Sequence, residues 1–134
     1  MTSILLRHAA AGDRDHWDGD DFHRPLDARG RRESEALVEV LRPFGVRRVI
    51  SSPYVRCVQT VEPLAAALGL PLELDDRLGE GEGGAALDLI QEDGVVSCTH
   101  GDVIHELVDR GLKKAAAVVL RDGQVVRELP PPKV

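Results

Sequence analysis

The sequence predicts an α/β fold of three layers, helices covering both faces of a mostly parallel sheet of about five to six strands, closed by one antiparallel hairpin at the C-terminal end. Three observations carry that expectation. Short apolar runs alternate along the chain with segments of helical period. Strands separated by helices argue for parallel pairing with both sheet faces covered. Near the end, RDGQ (residues 121–124) joins two apolar runs, and Asp-Gly supplies the positive φ angles of a tight hairpin turn. A chain of 134 residues buries a core without disulfide or metal staples. No repeat or linker divides it, so residues 1–134 are expected to form a single domain.

In chain order, residues 3–6 are an apolar run and form the first strand. Residues 11–26 show no period and are crowded with Asp, His and Gly, which predicts a loop long enough to suggest a task. Asp27 caps a helix that runs to Leu41. Ala36, Leu37, Val40 and Leu41 share its inner face, Arg31, Arg32, Glu35 and Glu39 point away, and Pro43 with Gly45 ends it. Residues 48–51 form the second strand. It leads into a helix capped by Ser52, with Pro53 in the first turn, a kink at Pro63 and a stop at Gly69. Residues 71–74 are expected as a short edge strand, 75–84 as a glycine-rich mobile loop, 85–92 as a short helix and 95–99 as a buried strand. A helix over 102–110 ends at Gly111, the hairpin strands occupy 115–120 and 124–129, and 130–134 is a tail.

Composition limits the partners. A formal net charge of -6 leaves no general basic face, so neither nucleic acid nor a membrane surface is expected as a partner, and any anion site must be local. No apolar run approaches the roughly 20 residues that span a bilayer. Cys57 and Cys98 stand among apolar neighbours as packing residues, and the first residues lack the order of a signal peptide, which predicts a reduced, cytoplasmic protein. Aromatics are only 3%, so Leu, Val, Ile and Ala must build the core. Among 17 basic residues only Lys113, Lys114 and Lys133 are lysines, a bias typical of a GC-rich genome.

Ligands of such sheets bind beyond the carboxyl ends of the strands. The first strand ends at Arg7-His8, the second leads through Ser51-Ser52 to Arg56, and the fourth ends at His100-Gly101. Two arginines and two histidines are thereby expected on one rim. Guanidinium forks match phosphate oxygens and never titrate, and a histidine beside them is a nucleophile toward phosphorus. Arg56, one turn into its helix, gains from the helix N-terminus, and His100 directly precedes another. The set describes phosphoryl transfer with no metal and no cofactor. Taken singly, Arg7 and Arg56 also fit surface ion pairs, and His8 and His100 fit hydrogen-bonded structural histidines.

DRDHWDGDD (residues 13–21) carries many carboxylates but lacks the ligand alternation of a calcium loop, and Arg24 stands where its bidentate Glu belongs. It is expected as a solvated loop with Trp17 packed beneath. His16, His23 and His105 form no metal pair; His100 and His105, five apart, do not share a helical face.

At four places the chain resembles the histidine phosphatase superfamily, also called phosphoglycerate-mutase-like proteins. LLRHA resembles its Arg-His-Gly or Arg-His-Ala signature, RPLDARG its Pro-Leu-x-x-x-Gly element, SSPYVRCVQT its Ser-Ser-Pro-x-x-Arg-x-x-Gln-Thr segment and CTHGDVI its second-histidine strand end. The small size and Ala9 resemble the branch of short phosphohistidine phosphatases and of bacterial phosphatase domains associated with Nudix hydrolases. The resemblance implies His8 as the nucleophile that becomes phosphohistidine, with Arg7, Arg56 and His100 binding the phosphoryl group and Arg14 as a further phosphate contact. It implies a metal-independent phosphatase acting on a phosphorylated small molecule or a phosphoprotein; the other reading is a weakly active phosphate-binding module that works with a Nudix hydrolase. Glu33-Ser34 stands where the family often has Gln-Ala, a difference expected on an outer helix face. The family's general acid falls to Glu80 or Glu82, or is absent. A free imidazole, with pKa about 6.5, leaves without the help an alkoxide needs, so a weak acid predicts preference for phosphohistidine, phosphoramidate, aryl or pyrophosphate-type substrates.

Overall fold

A computed structural model describes residues 2–134. Six strands form one sheet: β1 (Thr2–Arg7), β2 (Arg48–Ser51), β3 (Leu72–Leu74), β4 (Val95–Thr99), β5 (Ala117–Arg121) and β6 (Gln124–Leu129), in the spatial order β3-β2-β4-β1-β5-β6. The pairs β2–β3, β2–β4 and β1–β4 are parallel, and β1–β5 and β5–β6 antiparallel. Register sets the functional rim. Arg7 pairs with Thr99, and Ser51 with Cys98, so the chain leaves β1, β2 and β4 at one level.

The period-2 alternation of β1 decides the layers. Ile4 and Leu6 pack with Leu37, Leu41, Val61 and Leu64 of α1 (Ala28–Leu41) and α2 (Val55–Leu68). Leu5, between them, packs with Ile104 of α3 (Gly101–Val108) on the opposite face. The predicted three layers follow directly from that alternation. Asp122 at φ 51° and Gly123 at φ 79° form the tight turn expected of Asp-Gly.

Several local expectations are corrected. Asp27 does cap α1, accepting from the Gly30 N–H at 2.8 Å. Ser52 does not cap α2: the helix begins at Val55 after Tyr54, Pro53 lies outside it, and the Ser52 hydroxyl faces His100 instead. The helix continues through Pro63 to Leu68 and stops at Gly69, φ 66°. Residues 85–92 form turns and a single 3-10 turn (Leu89–Gln91), which lays Ala86 and Leu89 against Ile50, Leu78 and Val95 and leaves no room for a full helix on that cluster. The last helix ends at Asp109 in the left-handed conformation, its N–H bonded to the His105 carbonyl, before Gly111 is reached. Trp17 is 37% exposed rather than packed beneath its loop. Glu33 and Ser34 are buried, not on an outer face, and Glu33 Oε1 accepts the Ala10 N–H at 2.9 Å.

That last contact belongs to a clamp on the loop after β1. Ala10 O accepts from Asp27 N at 3.1 Å, and a Cβ on Gly30 would lie 1.9 Å from the same oxygen. The first turn of α1 thus presses on the segment that follows His8, and only glycine permits the approach.

Candidate active site

The rim brings Arg7, His8, Arg56 and His100 together, as the sequence predicts. His8 is fixed first by its backbone. Its N–H donates to Thr99 O at 3.1 Å, at the end of β4, and its carbonyl accepts from Ala115 N at 3.0 Å, just before β5. Its ring is oriented by Nδ1, which lies 2.9 Å from the Ala9 carbonyl. A carbonyl accepts only, so Nδ1 carries the proton and Nε2 keeps its lone pair. Burial pushes the His8 pKa down to about 3; the Ala9 bond opposes this, and Arg56, His100 and Arg7 add to it. The ring is therefore neutral at pH 7.

Arg56 is fully buried, with Nη1 on the Asp21 carbonyl at 2.9 Å and Nη2 on Asp21 Oδ2 at 3.1 Å and Glu80 Oε2 at 2.6 Å. Arg7 donates from Nη1 to Leu112 O at 2.6 Å and rests on Gly101, where a Cβ would come within 3.2 Å of its Cζ. Burial and neighbouring Arg56 lower the Arg7 pKa, against a smaller pull from Asp102. The Nε atoms of both arginines are buried without a partner among the described residues. Buried guanidinium donors left unpaired are costly, and a bound oxyanion relieves that cost.

His100 stands at the N-terminus of α3, its ring 5.5 Å from that of His8. Nε2 lies 2.9 Å from Ser52 Oγ, while Nδ1 lies 3.5 Å from Arg56 Nη2 and 3.6 Å from Glu80 Oε2. Tyr54 packs edge-on against the same ring at 4.6 Å.

Of the two glutamates left open by the sequence, Glu80 reaches the site and Glu82 does not. Glu80 accepts from Arg56 and from Arg14 Nη2, at 3.2 and 3.1 Å to its two oxygens, whereas Glu82 is exposed. Arg14 comes to the rim, 57% exposed, and also lies 3.4 Å from Asp21. A cavity of about 240 Å³ is lined by Arg7, His8, Arg14, Glu80, His100 and Asp102.

Sequence reading missed Asp21, Arg24, Ser52, Thr60 and Asp102. Asp21 and Arg24 lie in or beside the loop expected to be merely solvated. Arg24, 5% exposed, donates to Asp21 Oδ1 at 2.9 Å and to the Gly12 carbonyl. Burial raises the Asp21 pKa, but the Arg24 bond and the charges of Arg56 and Arg14 outweigh it, and the net shift is downward. Asp102 Oδ2 accepts from Gly81 N at 2.8 Å and so anchors the backbone beside Glu80. Only Ser52 and Thr60 had a signal available, through their places in SSPYVRCVQT.

His16, His23 and His105 are exposed. No group of three His, Cys, Asp or Glu among the described residues is arranged to hold a metal ion. No helix among them is long and apolar enough to cross a membrane.

Comparison with known proteins identifies the family and the fold. An 8-oxo-(d)GTP phosphatase of Mycolicibacterium smegmatis is 37% identical over 123 residues, covering 85% of this chain; the chain spans about 38% of that relative's length. The protein histidine phosphatase SixA complexed with tungstate superposes with TM-score 0.80 at 23% identity, over 98% of this chain and 97% of that one. A SixA-type phosphohistidine phosphatase from Agrobacterium tumefaciens gives TM-score 0.79 at 22% identity, over 97% and 98% of the two chains. These structural likenesses concern the fold. Residues 3–93, which carry the first histidine, the Pro-Leu-x-x-x-Gly element and Arg56, match the profile of the histidine phosphatase superfamily (branch 1), and the chain belongs to that family.

Proposed function

We propose that this protein is a phosphatase that works through a covalent phosphohistidine on His8 and needs no metal. The observation that carries the reading is the setting of the His8 ring: Nδ1 is committed to Ala9, burial keeps the ring neutral, and Arg7 and Arg56 stand beside it, each with a buried, unpartnered Nε. In the first step the Nε2 lone pair forms a bond to phosphorus, and the bond from phosphorus to the leaving group breaks. Arg7, Arg56 and His100 hold the phosphoryl oxygens and offset their developing charge. Glu80 is the group in reach to give the leaving atom a proton. In the second step water attacks phosphorus, its proton passes to the Glu80 carboxylate, and the electron pair of the P–N bond returns to Nε2. Orthophosphate is released.

Glu80 also limits the chemistry. Its carboxylate accepts from Arg56, which is a phosphate donor in this scheme, so in the first step it acts as an acid only after a substrate has displaced it and given it a proton, as a phosphate monoanion can. Leaving groups that need little protonation are favoured: phosphohistidine, phosphoramidate, aryl phosphate and phosphoanhydride over alkyl esters. The names of the relatives, a nucleotide phosphatase and protein histidine phosphatases, fit a phosphorylated small molecule or a phosphoprotein as substrate.

The test is turnover of an aryl phosphate in the presence of chelator, with single-turnover trapping of an acid-labile, base-stable phosphoryl adduct. His8→Ala should abolish both turnover and adduct. Turnover retained in that variant overturns the nucleophile, and turnover lost to chelator overturns metal independence. A wild-type protein that binds phosphate but never turns over favours the phosphate-binding module instead.

A further inference from the structure

A second cavity of about 520 Å³ also has His8 in its wall. It shares Arg7, His8 and Arg14 with the catalytic cavity and adds Arg24, Lys114 and Asp13. Four cationic side chains thus face one carboxylate. They are not equally available. Arg24 is committed to Asp21 and the Gly12 carbonyl, and Arg7 donates to Leu112, so these two shape the wall. Lys114 forms no ion pair within 4 Å among the described residues, and Arg14, 57% exposed, lines both cavities while pairing with Glu80 at 3.1 Å and with Asp21 at 3.4 Å.

Lys114 is rooted firmly. The next residue, Ala115, donates its N–H to the His8 carbonyl at 3.0 Å, and Ala116 N bonds Lys113 O at 3.0 Å. To make this turn Ala115 takes φ 66°, a conformation that alanine rarely adopts. In an arginine-rich chain one of three lysines therefore springs from a backbone tied to the candidate nucleophile.

We propose that this cavity is a second anion site, which takes the neighbouring phosphate of a phosphoanhydride, making diphosphates a preferred substrate class over monoesters. The proposal rests on the phosphoryl-transfer reading above and narrows its substrate. The two cavities meet at His8 and Arg14, so a terminal phosphoryl group on the catalytic side places the adjoining phosphate one bridging oxygen away. In-line attack sets the bridging oxygen opposite Nε2, and the bend of the P–O–P linkage at that oxygen turns the adjoining phosphate aside, to be received by Arg14 and Lys114. In the step, Nε2 bonds to the terminal phosphorus while the bond to the bridging oxygen breaks, its electron pair leaving on the shortened phosphate. Arg14 and Lys114 offset that charge, and no proton donor is required. Water then cleaves the P–N bond and releases orthophosphate. Such a leaving group suits a site whose candidate acid, Glu80, is engaged by two arginines.

Calorimetric titration of the whole chain with inorganic pyrophosphate and with orthophosphate, at fixed ionic strength and without metal, tests the site without needing turnover. Wild type should bind pyrophosphate about tenfold more tightly than orthophosphate. In Lys114→Ala that preference should fall about fivefold, and in Lys114→Arg it should persist, since either cation serves an exposed anion contact. No preference in wild type, or the same preference in Lys114→Ala, overturns the second site. Turnover of an aryl phosphate judges the catalytic reading separately. A protein that hydrolyses the aryl ester but shows no pyrophosphate preference retains the phosphatase and loses this inference; one that keeps the preference without turnover retains the second anion site but loses the phosphatase reading and, with it, the substrate class.

Discussion

Glu80 Oε2 lies 2.6 Å from Arg56 Nη2, the shortest contact Arg56 makes in the cluster. In the proposed reaction one oxygen of this carboxylate occupies a donor that an oxygen of the substrate would take. On that reading the pairing couples two effects of Glu80 in opposite directions: it competes with the ground-state substrate, and it supplies the proton when the leaving group needs one.

Glu80→Gln should therefore separate substrates by leaving group. General acid catalysis contributes about 10²–10⁴-fold where the leaving oxygen is basic. For an alkyl phosphate kcat should fall about 100-fold, while for an aryl phosphate with a good leaving group it should fall less than about fivefold. Glu82→Gln, altering an exposed side chain, should change neither. Steady-state kinetics with the two esters decides it; equal losses for both in Glu80→Gln would remove the proton-donor role.

Thr60 ties the two halves of the site. Its hydroxyl accepts from Ala9 N at 2.9 Å and donates to the Arg56 carbonyl at 2.7 Å, joining the residue after His8 to the helix that carries Arg56. Thr60→Val keeps the shape and removes both bonds, leaving the buried Ala9 N–H unsatisfied at a cost of about 1–3 kcal/mol. Denaturant unfolding should report that loss. Thr60→Ser, which restores both bonds, should recover most of it.

Much of this arrangement is legible in the sequence because its cues are local. Apolar runs fix β1, β2 and β4, Asp122-Gly123 fixes the hairpin, and strand ends put Arg7, Arg56 and His100 on one rim. What stays hidden depends on partners distant in sequence. Asp21 looks like any carboxylate in an acidic loop until Arg56, 35 residues away, meets it. Ser52 has the pattern of a helix cap, yet His100 takes its hydroxyl. The apolar residues over 85–92 read as a helix, but Ile50, Leu78 and Val95 need covering by a turn.

Gly30 and Gly101 make close approaches of different severity. A Cβ at Gly30 would lie 1.9 Å from the Ala10 carbonyl oxygen, a backbone atom that cannot yield without moving the loop after His8. At Gly101 the neighbour is the Arg7 side chain at 3.2 Å, which yields by a few tenths of an ångström. Gly30→Ala should destabilise the fold by about 3 kcal/mol, at the upper end of overpacking costs. Gly101→Ala should leave the thermal midpoint within a few degrees and raise KM for a phosphate ester, because it moves a guanidinium rather than the fold. Thermal unfolding and Michaelis kinetics on the pair would reveal any reversal of that order.

The buried His8 ring also sets a pH dependence of stability. Its folded pKa of about 3 lies below the ordinary histidine value of about 6.5, so between these values the unfolded chain binds the extra proton. Protonation then favours unfolding: the contribution is fully present above pH 6.5 and is lost as pH falls toward 3. In that window His8 adds a slope of up to about 1.4 kcal/mol per pH unit to the unfolding free energy. His8→Gln replaces the ring with a group that does not titrate, so its unfolding free energy should fall less steeply on acidification, by close to one proton's worth. Chemical denaturation at a series of pH values from 4 to 7 measures the difference. Parallel curves for the two proteins would mean that the His8 ring titrates in the fold as it does in the unfolded chain, and that burial does not hold it neutral.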